Sequence, residues 1–391
     1  MKKLIALLLA LVMVLALAAC GAKTEEPAAE EPAAEEPAAE TPAEEPAAEE
    51  SAGDVSELNV GVFYYSFADT YISSVRTALD AQWDTLGIAY QDYDGNGNQT
   101  TQNEQIQTAL TTGCNLLVVN LVTSGSSDAA KTIIEMAGET PVVFFNRAVE
   151  EDGSEGSVLN AYENISFVGT DAPEAGHLQG KMIGEYVLEN YDAIDLNGDG
   201  VISYVMFKGQ EGNAEAEART QYGVEDADAI LTAAGKPALS YYDASASTKY
   251  LVDTAGKWSA QAANDYMVSL LGSYNEDNGN MVELIICNND GMAEGAISAL
   301  QNVGYNNGEG TTIIPVFGVD ATDSAKALIK AGNMTGSIKQ DAVGMATTIM
   351  TLVQNVKDGA ELMANTGSFT VDADVAKIRV PYAMYDANTQ D

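Results

Sequence analysis

The chain has 391 residues, 18 of them basic and 58 acidic, for a formal charge of −40 at pH 7. A surface so acidic repels phosphate backbones, which excludes nucleic acid as a partner. The length is enough for two hydrophobic cores, and the cysteines are only three, Cys20, Cys114 and Cys287.

At the start, Lys2 and Lys3 precede an apolar run at 4–17 that is too short to span a bilayer, and small residues lead to Cys20. The tetrapeptide LAAC at 17–20 looks like a bacterial lipobox, which implies a signal peptide at 1–19 and a lipid on Cys20 that tethers the chain outside a cytoplasmic membrane. Residues 20–57 repeat EEPAA without aromatics and cannot bury a core. Proline and carboxylate repulsion make that stretch an extended spacer.

From Leu58 onward short β-branched runs alternate with helical stretches. The strands LNVGVFYY, IAYQDY, NLLVVNL, PVVFFN and ISFVGT are separated by helices ending in Gly87, Gly113 and Gly138, which are expected as C-caps. After Thr170 the alternation begins again with APEAGHLQGKMIGEYVLENY and runs to MTGSIKQD at 334–341. Such repetition is an α/β architecture with parallel sheets, here two doubly wound lobes. Three crossover strands are expected near Thr170, Asp341 and Arg379, giving one lobe of 58–170 and 342–378 and another of 171–341 and 379–391. Cys114 and Cys287 then fall in different lobes and are expected as buried free thiols.

In doubly wound sheets ligands bind beyond the carboxyl ends of the strands. The polar residues there are Asp69 with Tyr71, Asn146, Asn213 with Glu215 and Arg219, Asn289 with Asp290, Asp320, and Gln340. Taken singly, Asp69, Asp290 and Asp320 read as helix N-caps. Together the set is carboxylates, amides and one guanidinium, the groups that recognise a polyhydroxylated ligand. His177 is the only histidine and stands in no catalytic motif, so Ser-His-Asp and Cys-His chemistry are excluded.

Residues 195–203, DLNGDGVIS, carry a second kind of chemistry. Asp195, Asn197 and Asp199 stand at positions 1, 3 and 5 of a calcium loop, Gly200 turns at 6, Val201 offers a carbonyl at 7 and Ser203 an oxygen at 9. Position 12 is Met206, not Glu, and the run from Val201 reads as a strand. The last carboxylate must therefore come from elsewhere in the chain.

This loop, followed by KGQEGNAEAEARTQY, resembles the glucose/galactose-binding proteins of sugar ABC transporters, which have the type I periplasmic binding fold. The resemblance implies Glu283, six residues before Asn289, as the last ligand of a structural Ca2+. It also implies that Asp69 accepts from a sugar 4-hydroxyl, that Tyr71 and Trp258 cover opposite faces of a pyranose, and that Asn146, Arg219, Asn289 and Asp320 bind hydroxyls. Asn213, Glu215, Tyr71 and Gln340 replace the family's His, Asp, Phe and Asn. The implied function is capture of a monosaccharide, D-galactose or D-glucose, for an ABC permease by a monomer. Another hexose, a pentose, a sensing receptor as partner, and a carboxylate pair that hydrolyses glycosides are the alternatives.

Overall fold

A computed structural model describes residues 57–150, 156–372 and 374–390. The expected signal peptide, Cys20 and all of the spacer but Glu57 lie outside them. Strand β1 (Asn59–Tyr64) leads through α1 (Thr70–Leu86) to β2 (Ala89–Asp94), then α2 (Gln99–Thr111), β3 (Leu116–Val119), α3 (Ser127–Ala137), β4 (Val142–Phe145) and β5 (Ile165–Gly169). A second set follows: α4 (Ala172–Ile194), β6 (Ser203–Lys208), α5 (Ala214–Ala233), β7 (Ser240–Tyr241), β8 (Leu251–Val252), α6 (Ala260–Leu271), β9 (Leu284–Cys287), α7 (Asp290–Asn302), β10 (Val316–Asp320), α8 (Asp323–Lys330) and β11 (Gly336–Gln340). Helix α9 (Ala342–Lys357) and strands β12 (Thr370–Val371), β13 (Lys377–Arg379) and β14 (Tyr382–Asp386) complete the chain.

The strands form two sheets, ordered β12-β13-β5-β4-β3-β1-β2 and β14-β11-β10-β9-β6-β7, with β8 also pairing β6. Both faces of each sheet are covered, so the strands are apolar throughout and adjacent residues serve different cores. In β1, Val60, Val62 and Tyr64 face the helices α1 and α9 while Phe63 faces α2 and α3. In β9, Ile285 and Cys287 face one way and Leu284 and Ile286 the other.

The chain changes sheet after Gly169, after Gln340 and after Arg379. Not every strand is parallel: β12 pairs β13, and β14 pairs β11, in antiparallel fashion. Between β12 and β13 the connection is too short for the crossover that a parallel pair needs. Gly87 does cap α1 in the left-handed conformation and Gly138 caps α3, but α2 ends on Thr112, with Gly113 one residue beyond.

Cys114 and Cys287 are buried and free, one in each lobe. Trp83 is fully buried in α1 and stacks on Tyr90.

Helix α5, which opens with several of the candidate residues, is fixed by its packing on α4. Gly176, Gly180 and Gly184 form one face of α4, and a Cβ at Gly180 would stand 2.3 Å from the backbone oxygen of Tyr222. Only glycine lets the two backbones approach so closely.

Candidate functional site

Three of the polar residues at strand ends cap helices and also face a common space. Asp69 Oδ1 accepts from Ile72 N at 2.8 Å, Asn213 from Ala216 N at 3.1 Å, and Asn289 from Met292 N at 2.9 Å. Capping fixes each side chain and leaves its second polar atom available. For Asp69 that atom accepts from the hydroxyl of Tyr65 at 2.6 Å.

Asp290 and Asp320, which the sequence suggested as caps, are not caps. Asn289 caps α7 and Thr322 caps α8: Asp290 is already the first residue of α7, and Asp320 ends β10 two residues before Thr322. Asp290 is fully buried, accepts from Ser337 Oγ at 2.6 Å and Thr322 N at 2.8 Å, and ties the ends of β9, β10 and β11 together. Burial pushes its carboxyl up. Gly318 makes room for it, since a Cβ there would lie 2.3 Å from Asp290 Oδ1.

Tyr65, Asp69, Tyr71, Asn146, Arg147, Asn213, Glu215, Arg219, Trp258, Asn289, Asp320 and Gln340 surround about 410 Å³ of space, part of it open to solvent. The ten residues that the resemblance implies as sugar ligands all stand on this one wall, and Asp290, the other strand-end residue, does not. Tyr65 and Arg147 were missed, although Arg147 directly follows Asn146 at the end of β4 and Tyr65 ends the apolar run of β1. Arg147 lies over the Tyr65 ring at 4.1 Å, donates to Leu121 O and Val122 O, and reaches Gln210 of the other lobe at 2.9 Å.

Arg219 is the hub. It is 3% exposed, and it donates to Asn288 O and the Tyr382 hydroxyl at 2.9 Å and to Glu215 and Gln340 at 3.2 Å. Glu215 is held at its other oxygen by Thr170 Oγ1 at 2.8 Å, and Tyr382 donates to it as well. The longer reach of Glu carries its carboxylate to hydroxyls at the crossovers. Asp320 is pushed well above the usual carboxylate range by burial, with Asp290, Asp69 and Glu215 adding to the rise and Arg219 opposing it.

The backbone is also strained here. Asn146, Trp258, Asp320 and Ala321 have φ of 60°, 56°, 120° and 50°. Non-glycine residues adopt such values rarely, and they concentrate where a site is held in shape. The segment before Trp258 contains β8, and Asp253 gathers Ala255 N, Ser259 N and Ser259 Oγ to fix the turn, so the indole lies on Gly209.

Three buried donors on this wall, Arg219 Nε, Gln340 Nε2 and Trp258 Nε1, find no acceptor among the described residues. Buried donors are nearly always paired, and these three lack a partner that oxygens of a ligand in this space could supply.

Glu283, which the resemblance implies as the last ligand of the loop at 195–203, hydrogen-bonds that loop directly. Glu283 Oε1 accepts from Leu196 N and Asn197 N, and Oε2 from Ser203 N and Ser203 Oγ. Asp195 accepts from Gly198 N and Gly200 N, and Asp199 from Val201 N. The carboxylates thus bond the loop's own donors, and among the described residues no three acidic, His or Cys side chains converge on a metal position. The oxygen-only donor set, with Glu283 fully buried, still suits a hard cation. His177 is half exposed, pairs with Asp226 at 2.7 Å and lies against Tyr222, a surface role.

Residues 60–361 match the periplasmic binding protein domain family. The chain is 33% identical over 330 residues to the D-galactose/methyl-galactoside binding periplasmic protein MglB of Haemophilus influenzae, covering 84% of this chain and 89% of that one. It is 25% identical over 288 residues to a putative rhizopine-binding protein of Rhizobium meliloti, covering 73% of this chain and 80% of the relative. An ABC transporter solute binding protein of Bacillus halodurans with bound myo-inositol shares the fold, with a TM-score of 0.62 at 20% identity over 86% of this chain and 96% of that one. A solute binding protein of Clostridium phytofermentans with bound β-D-glucose gives 0.62 at 20% identity, over 84% and 94%. With its two α/β lobes and a polar cavity at the strand ends, this chain belongs to the periplasmic binding protein family, a binding protein and not an enzyme.

Proposed function

We propose that the cavity holds one monosaccharide, D-galactose or D-glucose, and that the closed complex delivers it to an ABC permease. The observation that carries this reading is the trio of unpaired buried donors at Arg219, Gln340 and Trp258 facing the acceptors Asp69 and Asp320. A hydroxyl both donates and accepts, so a ring of hydroxyls serves both groups at once. Tyr71 and Trp258 supply apolar faces for the C–H surfaces of a pyranose. The relative in Haemophilus influenzae, by its name, binds galactose and its methyl glycoside.

In this reading Asp69 accepts from the 4-hydroxyl, and Asn146, Asn213, Glu215, Arg219, Asn289, Asp320 and Gln340 bind the other oxygens. The protein acts as a monomer, anchored through a lipid on Cys20. The loop residues Asp195, Asn197, Asp199, Val201 and Ser203, with Glu283, hold a Ca2+ that braces the second lobe; its oxygen ligands and buried carboxylate support this.

The test uses Trp258, since the other tryptophan, Trp83, is fully buried in the first lobe. In a panel of hexoses and pentoses, D-galactose and D-glucose should shift the fluorescence at the lowest concentration, and Asp69→Asn should weaken both by about 1 to 3 kcal/mol. A pentose or another hexose that binds tenfold tighter would overturn the assigned sugar.

A further inference from the structure

A direct bond between the lobes lies beside the cavity. Gln210 belongs to the second lobe and stands outside the ring of residues around the cavity, and its Oε1 accepts from Arg147 Nη2 of the first lobe at 2.9 Å. Both ends of this bond are fixed. Gly209, next to Gln210, donates its N–H to Asn288 Oδ1 at 3.1 Å and passes under the Trp258 indole, and Gly256 leaves room for the Gln210 side chain, since a Cβ there would stand 3.2 Å from Gln210 Cγ. Arg147 is 6% exposed and is tied by Leu121 O and Val122 O, so its guanidinium has little freedom. From Arg147 the contacts run on to the first-lobe carboxylate of the cavity. The guanidinium lies over the Tyr65 ring at 4.1 Å, an attraction that favours one placement of the ring. The Tyr65 hydroxyl in turn donates to Asp69 Oδ2 at 2.6 Å, while Asp69 Oδ1 is taken by the Ile72 N–H. The direction of the Tyr65 hydroxyl therefore sets which lone pair of Oδ2 is left for a ligand.

We propose that Gln210 is a positioning residue for sugar binding: it meets Arg147 only when the lobes close, and through Arg147 and Tyr65 it holds Asp69 in the direction of the sugar. The inference rests on the reading of the cavity as a monosaccharide site with Asp69 as an acceptor. An open cleft separates Gln210 from Arg147, so the first encounter of sugar and protein does not involve this bond. The bond adds to the closed complex alone, and because its donor is a charged guanidinium it is stronger than a neutral pair. Its loss is therefore read in the rate of release and not in the rate of capture.

The experiment is stopped-flow fluorescence of Trp258 in the whole protein mixed with D-galactose or D-glucose. Gln210→Ala should release the sugar about tenfold faster, as expected for a lost hydrogen bond to a charged donor, and capture it within about twofold of the unaltered rate. Gln210→Glu keeps an acceptor and sets a charge against the guanidinium, so it should release the sugar no faster than the unaltered protein. Tyr65→Phe should also speed release, and the double variant with Gln210→Ala should lose less than the two single effects multiplied, because each removes part of one hold on Asp69. A variant that folds poorly lowers the fraction of protein that responds, not the rate constants, so a folding fault is not mistaken for the effect. Release from Gln210→Ala at the unaltered rate, a change confined to capture, or single effects that multiply strictly in the double variant overturns the inference and leaves the sugar site standing. If neither sugar binds the unaltered protein, the monosaccharide reading falls and this inference with it.

Discussion

Replacing Arg219 by Gln removes the guanidinium at the centre of the site and leaves Glu215 without its cationic partner. The pair is well buried, with side-chain exposures of 4% and 16%. Breaking such a pair from one side costs about 3 to 5 kcal/mol, because the remaining charge is stranded. The small exposure of Glu215 and its two hydroxyl donors place the cost near the lower limit. Glutamine regains one hydrogen bond worth about 1 kcal/mol, so a net loss of about 2 kcal/mol is expected. At roughly 2 to 4 °C per kcal/mol, calorimetry of the ligand-free protein should show a Tm lowered by about 4 to 8 °C. The double variant Glu215→Gln with Arg219→Gln should lose less than the sum of the singles, since it removes the stranded charge as well. An unchanged Tm in the single variant, or strict additivity in the double, would refute the hub assignment.

Asp320 has a raised pKa in the folded protein, so its contribution to stability is full below the ordinary carboxylate range near pH 4 and is lost as pH rises toward the folded value. Asp320→Asn should therefore raise Tm at neutral pH and flatten its fall with pH while weakening sugar binding; a variant that tracks the wild type across pH contradicts this. Gly180→Ala, normally a gain of up to ~1 kcal/mol in a helix, should instead cost about 1 to 3 kcal/mol by forcing α4 off α5, read from denaturant midpoints. EDTA should lower Tm by the linkage expected of a bound ion, about 2.7 kcal/mol at a hundredfold excess of calcium over its Kd. Asp199→Ala should erase the difference between EDTA and calcium, and identical melts of the unaltered protein in both would remove calcium from the account.

The alternation of strands and helices and the two lobes were legible because apolar β-branched runs and helical stretches differ in period and length, whereas the order of strands in each sheet and the antiparallel edge pairs were not. The strand ends were legible too, since a polar residue after such a run has few places to go. Cap identity was not: Asn289 and Asp290 are neighbours, and which one turns back to the helix depends on Ser337 and Thr322, far along the chain. Tyr65 and Arg147 escaped notice because each continues a strand-end run without a distinctive pattern of its own. Their roles arise from stacking on one another and from Gln210 in the facing lobe. The glycine face of α4 was present in the sequence as Gly176, Gly180 and Gly184, but the helix it packs on is set by tertiary structure.

The charges around the cavity bear on why a ligand should close it. Asp69 belongs to the first lobe and Asp320 and Glu215 to the second, and Asp69 and Glu215 both act on Asp320, with Arg219 as its opposing cation. Bringing the lobes together without a ligand crowds these charges in a place where water is scarce and repulsion correspondingly strong. A ligand amine would relieve the carboxylates but leave Arg219 Nε, Gln340 Nε2 and Trp258 Nε1 unpaired; a ligand carboxylate would do the reverse. On the proposed reading, hydroxyl groups set around a ring would donate to the first set and accept from the second, so a sugar would gain more from a closed cleft than from an open one. That difference in affinity is what shifts a two-state lobe equilibrium, and it ties ligand class to closure through the same side chains whose pH dependence Asp320→Asn tests.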